Sequence, residues 1–319
     1  MSYPASRYIS SSAARQQSGM VIVVALFIVA LVATMAYVMV ARVERDTRRT
    51  MLIVRNTQAE YEAQGSIAWA IDVLRNNWER RVPNKPVDQF PLTSPVMKEG
   101  RYQIVSTIYD MQARYNLNNV SKVETQQDFI RLLQAVLPKL PHQQAQQITR
   151  ALVDWIMPAS EKSVFAEYYL NLPMPYRAPH KPMASASELR LVKGVTAEIY
   201  QALQPYVTAL PPPTQLNVQT MSAPAMVTLS TTMSLQAANA VENLRRTMPL
   251  PTTQAFLNLD VIKNHHVEAN KVTAISQYFL VETKVSIEKQ QAVIYTLLMR
   301  STKDQKTAIS IVWQSKGTW

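Results

Sequence analysis

The sequence predicts an α+β protein in which a long N-terminal helix crosses a membrane and then packs on a small antiparallel sheet, with further helices inserted between the strands. Three observations carry that expectation. Met20 to Ala41 are 22 consecutive positions without a charge. Apolar and aromatic positions then recur at mostly helical spacing as far as Trp78. Residues 102–109, and again about the last 45 residues, alternate with the period of two that belongs to strands.

The uncharged run comes first. As a helix rising roughly 1.5 Å per residue it reaches about 33 Å, enough to cross a hydrocarbon core. A secretory signal has an apolar region of about 7–15 residues followed by a small-residue cleavage site. This run is longer, and Arg42-Val43-Glu44-Arg45 follows it, so it is expected to stay in the mature chain. Met1 to Gly19 carries Arg7, Arg15 and no acid. A short basic N-terminus ahead of a first span favours the cytoplasm and leaves the bulk outside, although the arginines beyond the span complicate a simple charge count.

The helix is expected to continue. Arg42, Arg45 and Arg49 alternate with Val43, Thr47, Thr50 and Ile53, and Ile53, Tyr61, Ile67, Ala68, Ile71, Leu74 and Trp78 form its apolar series until "VPNKPVDQFP" ends it with three prolines. In "GRYQIVSTIYD", Tyr102, Ile104, Ser106 and Ile108 face away from Gln103, Val105, Thr107 and Tyr109. Residues 121–207 read as helical: "TQQDFIRLLQAVLP", "HQQAQQITRALVDWIMP", and a third and fourth helix within "SASELRLVKGVTAEIYQALQPYVTALPPP", with Ser185 or Ser187 as cap and Gly194 at the turn between them. Another helix pair is expected after "LNVQT". Three strands close the chain, with Phe279, Val281, Thr283 and Val285 on one face of the first.

Composition narrows the function classes. There are no cysteines, which excludes disulfides, thiolate metal sites and cysteine nucleophiles. The net charge is +11, from 33 basic against 22 acidic residues, but the basic residues are scattered apart from Arg42 to Arg49 and the pair Arg80 and Arg81. That distribution reads as solvated surface and not as a nucleic-acid footprint. The turn at Gly194 has the outline of a helix-hairpin-helix, a weak signal because glycine-joined helices are common. His265 and His266 are adjacent and point apart, so they form no chelating pair. No Ser-His-Asp pattern, phosphate loop or zinc signature is present, and nothing supports an enzyme.

The boundary before the apolar run resembles the processing site of type IV prepilin-like proteins: polar, basic Arg15-Gln16-Gln17-Ser18, then Gly19, then Met20. The resemblance implies a leader of residues 1–19, cleavage by a prepilin peptidase between Gly19 and Met20, N-methylation of Met20, and a retained transmembrane helix over 20–41. Most pilins carry Glu at the fifth mature position; here it is Val24. That absence resembles the minor component known as type II secretion system protein K. "DMQARYNLNNV", "DWIMPASEKSVFAEYY", "SASELRLVKGV" and "LNVQT" resemble that family in order and spacing.

The family resemblance implies a pseudopilin fold, with 42–110 forming the helix and first strand, 111–213 a large inserted SAM-like helical domain, and 214–319 a second helix pair and the C-terminal strands. It implies a minor pseudopilin at the tip of the type II secretion pseudopilus, helping initiate its assembly with the I and J proteins and the major pseudopilin. The expected place is the inner membrane of a Gram-negative bacterium, single-pass, with a cytoplasmic N-terminus, a periplasmic bulk and no nucleic acid bound. In the family the "DWI" loop binds calcium. Asp154, Trp155 and Ile156 match, but Met157 and Ala159 stand where acids are usual, and Glu167 matches the glutamate of the later run. A calcium site is therefore expected to be lost or weak, with the loop held by Trp155, Phe165, Tyr168 and Tyr169. The alternatives are a membrane-anchored DNA-binding protein of natural transformation and a type IV pilus minor pilin.

Overall fold

The computed structural model describes residues 13–82, 90–158, 163–287, 290–303 and 306–317. The chain forms two compact units, Met1–Gln58 and Ala59–Trp319, with the division inside helix α1 (Ala13–Glu79). The elements that follow α1 are strands β1 (Leu92–Thr93), β2 (Met97–Glu99), β3 (Tyr102–Asp110) and β4 (Tyr115–Asn116), then helices α2 (Val123–Val136), α3 (His142–Ile156), α4 (Ala166–Leu170) and α5 (Ala197–Leu203). Strands β5 (Val207–Thr208) and β6 (Leu216–Asn217) lead to α6 (Ala223–Met226), α7 (Leu235–Thr247), α8 (Thr253–Leu257) and α9 (Asp260–Lys263). Strands β7 (Val272–Thr273), β8 (Tyr278–Ile287), β9 (Gln290–Lys303) and β10 (Lys306–Lys316) complete the chain.

The main sheet is antiparallel, in the order β1-β3-β8-β9-β10, with β2 also on β3. The long-range pair β3 and β8 runs from Tyr102 opposite Ile287 to Asp110 opposite Phe279, so the helical segments between them enter and leave at one end of the sheet. The alternation expected of β3 is present: Tyr102, Ile104, Ser106 and Ile108 are buried. The expected face of β8 is buried too, at Phe279, Val281, Thr283 and Val285.

The second half of α1 packs on that face. Its buried residues are Ala59, Ala63, Ser66, Ile67, Ala70 and Leu74, so the stripe differs from the expected one. Ile53, Tyr61 and Ala68 are exposed. Small side chains let the helix backbone approach the sheet, and larger ones at those positions would hold it off. Where Ser66 meets the sheet its hydroxyl bonds those of Ser106 and Thr283, and Ser106 Oγ lies 2.9 Å from Thr283 Oγ1. Three buried hydroxyls thus satisfy one another, as burial away from water requires.

Two helical cores stand beside the sheet. The first gathers Phe129, Leu133, Ile148, Leu152, Trp155, Tyr169, Leu189 and Leu203. Its third expected helix is instead a 3-10 turn, Ala186–Leu191, held by a capping box between Ser185 and Glu188. The second core gathers Val218, Met226, Val241, Phe256 and Ile262. The helix pair expected there is four short helices, because Pro249 and Pro251 interrupt the chain between α7 and α8 and Asn258-Leu259 separates α8 from α9. Arg131 joins the cores by donating to the carbonyl oxygens of Val227 at 3.3 Å and Thr228 at 3.1 Å. Its neighbour Asp128 pairs with both Arg131 and Lys271.

Candidate functional site

Among the described residues, none of the side chains from Met20 to Val40 is buried. The most apolar window of α1 is wholly exposed. Between Met20 and Ala41 only Thr34 and Tyr37 carry a polar side-chain group, and Thr34 Oγ1 satisfies itself on the Ala30 carbonyl oxygen at 2.7 Å. So large an apolar surface has to be covered by lipid or by other apolar helices. Gly19 and Met20 lie inside α1, and Val24 is exposed among Val23, Ala25 and Leu26. The sequence has no Asp or Glu from Met1 to Ala41. The first twelve residues of the expected leader lie outside the described residues.

The helical insertion is fastened at its base by a three-asparagine cluster. Strand β4 going in and β5 coming out pair in parallel, Tyr115 opposite Val207. Two-residue strands hold little by themselves, and the side-chain amides extend the ladder. Asn116 accepts from Leu210 N at 2.9 Å and donates to Leu210 O at 3.0 Å. Asn118 exchanges the same pair of bonds with Met183, accepting at 2.8 Å and donating at 3.0 Å, and also donates to Leu210 O. Asn119 does likewise with Thr214, at 3.1 and 2.8 Å. This is what "NLNN" does physically: each amide copies a backbone donor–acceptor pair.

A second fastening sits at the end of β3. Asp110 is buried and accepts four hydrogen bonds: from Gln112 N at 2.8 Å, Asn217 Nδ2 at 2.9 Å, Ser276 Oγ at 2.8 Å and Thr220 Oγ1 at 2.5 Å. Burial raises the pKa of its carboxyl above the ordinary range, while the bonds from Thr220, Ser276, Gln112 and Asn217 pull the other way. Gln112 adds bonds to Gln215 O and from Gln277 N. Arg300, buried on β9, stacks near Trp78 and Phe279 and donates to Ser276 O at 2.9 Å. The sheet and the second helical region therefore meet around one carboxylate. In the sequence Asp110 leads visibly into the asparagine run, but its side-chain partners lie 107 to 166 residues away, where no local pattern marks them.

The "DWI" loop is organised by aromatic rings. Trp155 meets Tyr169 and Tyr176 edge-to-face, and the two tyrosine rings lie tilted against each other, with centroids 5.4–6.2 Å apart; Trp155 Nε1 donates to Glu188 at 3.4 Å. Tyr169 accepts from Lys193 N at 3.1 Å, and burial pushes its phenol up to about 12. Lys193 Nζ lies over the rings of Phe165 and Tyr168, 5.0 and 4.4 Å from their centroids. Asp154 accepts from Ser163 Oγ at 2.8 Å, and its backbone carbonyl oxygen accepts from His180 Nδ1 at 2.9 Å. Glu167 is exposed on α4. Among the described residues this stretch supplies two carboxylates, one already engaged, where calcium wants about six to eight oxygens. Ala159 lies outside the described residues.

The Gly194 turn is built for packing. Its φ is +86°, and an added Cβ would lie 3.1 Å from Ile148 Cγ1. A 3-10 turn precedes it, and α5, which follows, has seven residues. Glu198 occupies the first turn of α5, where a helix-hairpin-helix would offer backbone N–H groups to a phosphate. The Thr196 hydroxyl and its own backbone N–H hold that carboxylate below the ordinary range, so it is anionic and repels phosphate. His265 lies 3.1 Å from Thr232 Oγ1, and the adjacent His266 is exposed.

Comparison with known proteins agrees with this arrangement. The family described as Type II secretion system (T2SS), protein K matches residues 113–212, which is the insertion between the two sides of the asparagine cluster. Type II secretion system protein K of Pseudomonas aeruginosa is 27% identical over 92% of each chain. The Klebsiella pneumoniae protein of that name is 31% identical over 65% of this chain and 67% of its own, and the Aeromonas hydrophila protein is 32% identical over 62% and 65%. A chain in the crystal structure of the GspK-GspI-GspJ complex from the enterotoxigenic Escherichia coli type 2 secretion system shares the fold. It has a TM-score of 0.66 and 23% identity, and the match covers 85% of this chain and all of that one. The helix-on-sheet scaffold, its fastened helical insertion and these likenesses together place the chain in the type II secretion system protein K family of minor pseudopilins.

Proposed function

We propose that the chain is a tip subunit of the type II secretion pseudopilus that joins homologues of the I and J proteins to start assembly. A pseudopilus grows by stacking apolar helices drawn from the membrane. A bulky insertion, closed at its base by the Asn116–Asn119 cluster beside the Asp110 fastening at the end of β3, leaves no room for a further subunit above it, and this is the observation that carries the reading. Val24 agrees with a terminal place, since a helix lacking a carboxylate there has no pairing to offer a neighbour's amine. The solved GspK-GspI-GspJ complex supports the choice of partners.

On this reading prepilin peptidase cuts between Gly19 and Met20, the new N-terminus is methylated, and the major pseudopilin is added beneath the tip. The N-terminus is cytoplasmic and residues 42–319 are periplasmic. The chain does no covalent chemistry: its role is to pack. The loop at Asp154 is held by its rings and by Lys193, with calcium bound weakly or not at all.

Co-purification of the full-length chain in detergent with tagged I and J proteins from the same genome tests the proposal. One co-eluting three-protein peak is expected. Separate elution of this chain, or salt-sensitive binding of DNA by it, contradicts it.

A further inference from the structure

The apolar run of α1 is followed at once by an arginine cluster. At roughly 100° per residue, Arg42, Arg45, Arg48 and Arg49 share an arc of about 120° on α1, with Val43, Thr47, Thr50 and Val54 on the opposite side. All four arginines are exposed. Glu44 and Asp46 flank the arc, yet among the described residues neither is ion-paired to it. The one hydrogen bond from these guanidiniums runs from Arg45 Nε to the Ala41 carbonyl oxygen, 3.1 Å away.

Depth along the helix says what they meet. If Met20 to Ala41 fills a hydrocarbon core of about 30 Å, the next turns occupy the headgroup layer, which adds about 5–7 Å per side. Arg42 and Arg45 fall within it, and Arg48 and Arg49 reach back along their flexible stems. Tyr37 is exposed, lies about 20° beyond the edge of the same arc, and sits just inside the boundary. A tyrosine there keeps its ring in the acyl region and its hydroxyl among headgroups. A guanidinium fork matches a phosphate with two parallel hydrogen bonds.

We infer that Arg42, Arg45, Arg48 and Arg49 form a binding row for the phosphates of anionic phospholipids, fixing the depth of the helix and opposing its withdrawal from the bilayer. The inference rests on residues 20–41 spanning a membrane. It commits to lipid over an acidic partner helix because charge and depth coincide with the headgroup layer, and because Tyr37 marks that boundary on nearly the same side.

The test uses the full-length chain in nanodiscs of equimolar phosphatidylglycerol and phosphatidylcholine, released intact into a native mass spectrometer so that retained lipids are counted. At roughly five-fold per arginine at an anionic surface, the wild type should retain phosphatidylglycerol at least tenfold over phosphatidylcholine. The variant R42Q/R45Q/R48Q/R49Q should retain the two nearly equally. The corresponding four Lys substitutions should keep part of the preference, and R80Q/R81Q all of it. Equal retention by the wild type, or an unchanged preference in the Gln variant, overturns the inference. So does equal retention accompanied by loss of co-purifying I and J proteins in the Gln variant, which assigns the row to a protein partner. A chain that fails to enter the nanodisc overturns the membrane reading along with it.

Discussion

The two halves of α1 are equally helical and put apolar residues to opposite uses. From Met20 to Val40 every side chain is exposed, and most are large and apolar. From Ala59 to Leu74 the buried positions are mostly small, and a serine hydroxyl sits among them. A helix that meets lipid gains from apolar area on its whole circumference, whereas one seated on a sheet gains from close approach along one stripe. Exposed apolar side chains all round mark the first half, and small residue size along one stripe marks the half seated on the sheet.

The sharpest way to break that contrast is a pair of leucine truncations. Leu74→Ala removes a fully buried side chain at the helix–sheet seam and should cost about 3–4 kcal/mol, read as a fall in denaturant midpoint of the full chain in detergent. Leu31→Ala, in the exposed half, should leave the same transition unmoved. Equal losses would mean that the apolar half also packs within the chain.

Next in size is the asparagine cluster. Asn118→Ala strands the buried Met183 N–H and leaves Leu210 O with one donor fewer, so about 2–3 kcal/mol should be lost. Amide exchange should quicken first near Met183 and Leu210. A uniform change across residues 59–319 would argue against a local fastening.

The other fastening gives a pH dependence. Because burial holds the Asp110 pKa above its unfolded value, near 3.9, the folded state binds its proton more tightly. That contribution is complete below about pH 4 and is lost as pH rises through the folded pKa. Unfolding free energy measured against Asp110→Asn should therefore diverge from the wild type across that window, with the wild type relatively more stable at the acid end. A difference that ran the other way, with the wild type losing relative stability at the acid end, would mean that the four donors, and not burial, govern the group, and a difference independent of pH would mean that the two cancel.

The smallest effect is expected at the ion pair between Lys316 and Glu60, which joins β10 to α1 at the surface. Glu60→Gln should change stability by less than about 1 kcal/mol, and less still in high salt.

Much of this architecture was legible in the sequence. The span, the continuation of α1, β3, helices α2 and α3 and the three closing strands follow from period and length. What escaped has a common cause. Tyr61 and Ala68 looked like part of the apolar stripe because the period admits them, but the sheet selects Ala59, Ala63 and Ala70 by size. The 3-10 turn at Ala186–Leu191 carries helical residue types, and its capping box was visible only as Ser185 with Glu188. The partners of Asp110 are far away in the chain, and no local pattern announces them. The asparagine run was noticed as a resemblance, and its work as a side-chain ladder came only from the geometry.

On the proposed reading the apolar helix is kept and Met20 becomes its first residue. Mass spectrometry of the chain produced together with a prepilin peptidase tests this. A mature product beginning at N-methylated Met20 is the expected result. An intact Met1 with that peptidase active, or a product starting beyond Ala41, would contradict the account.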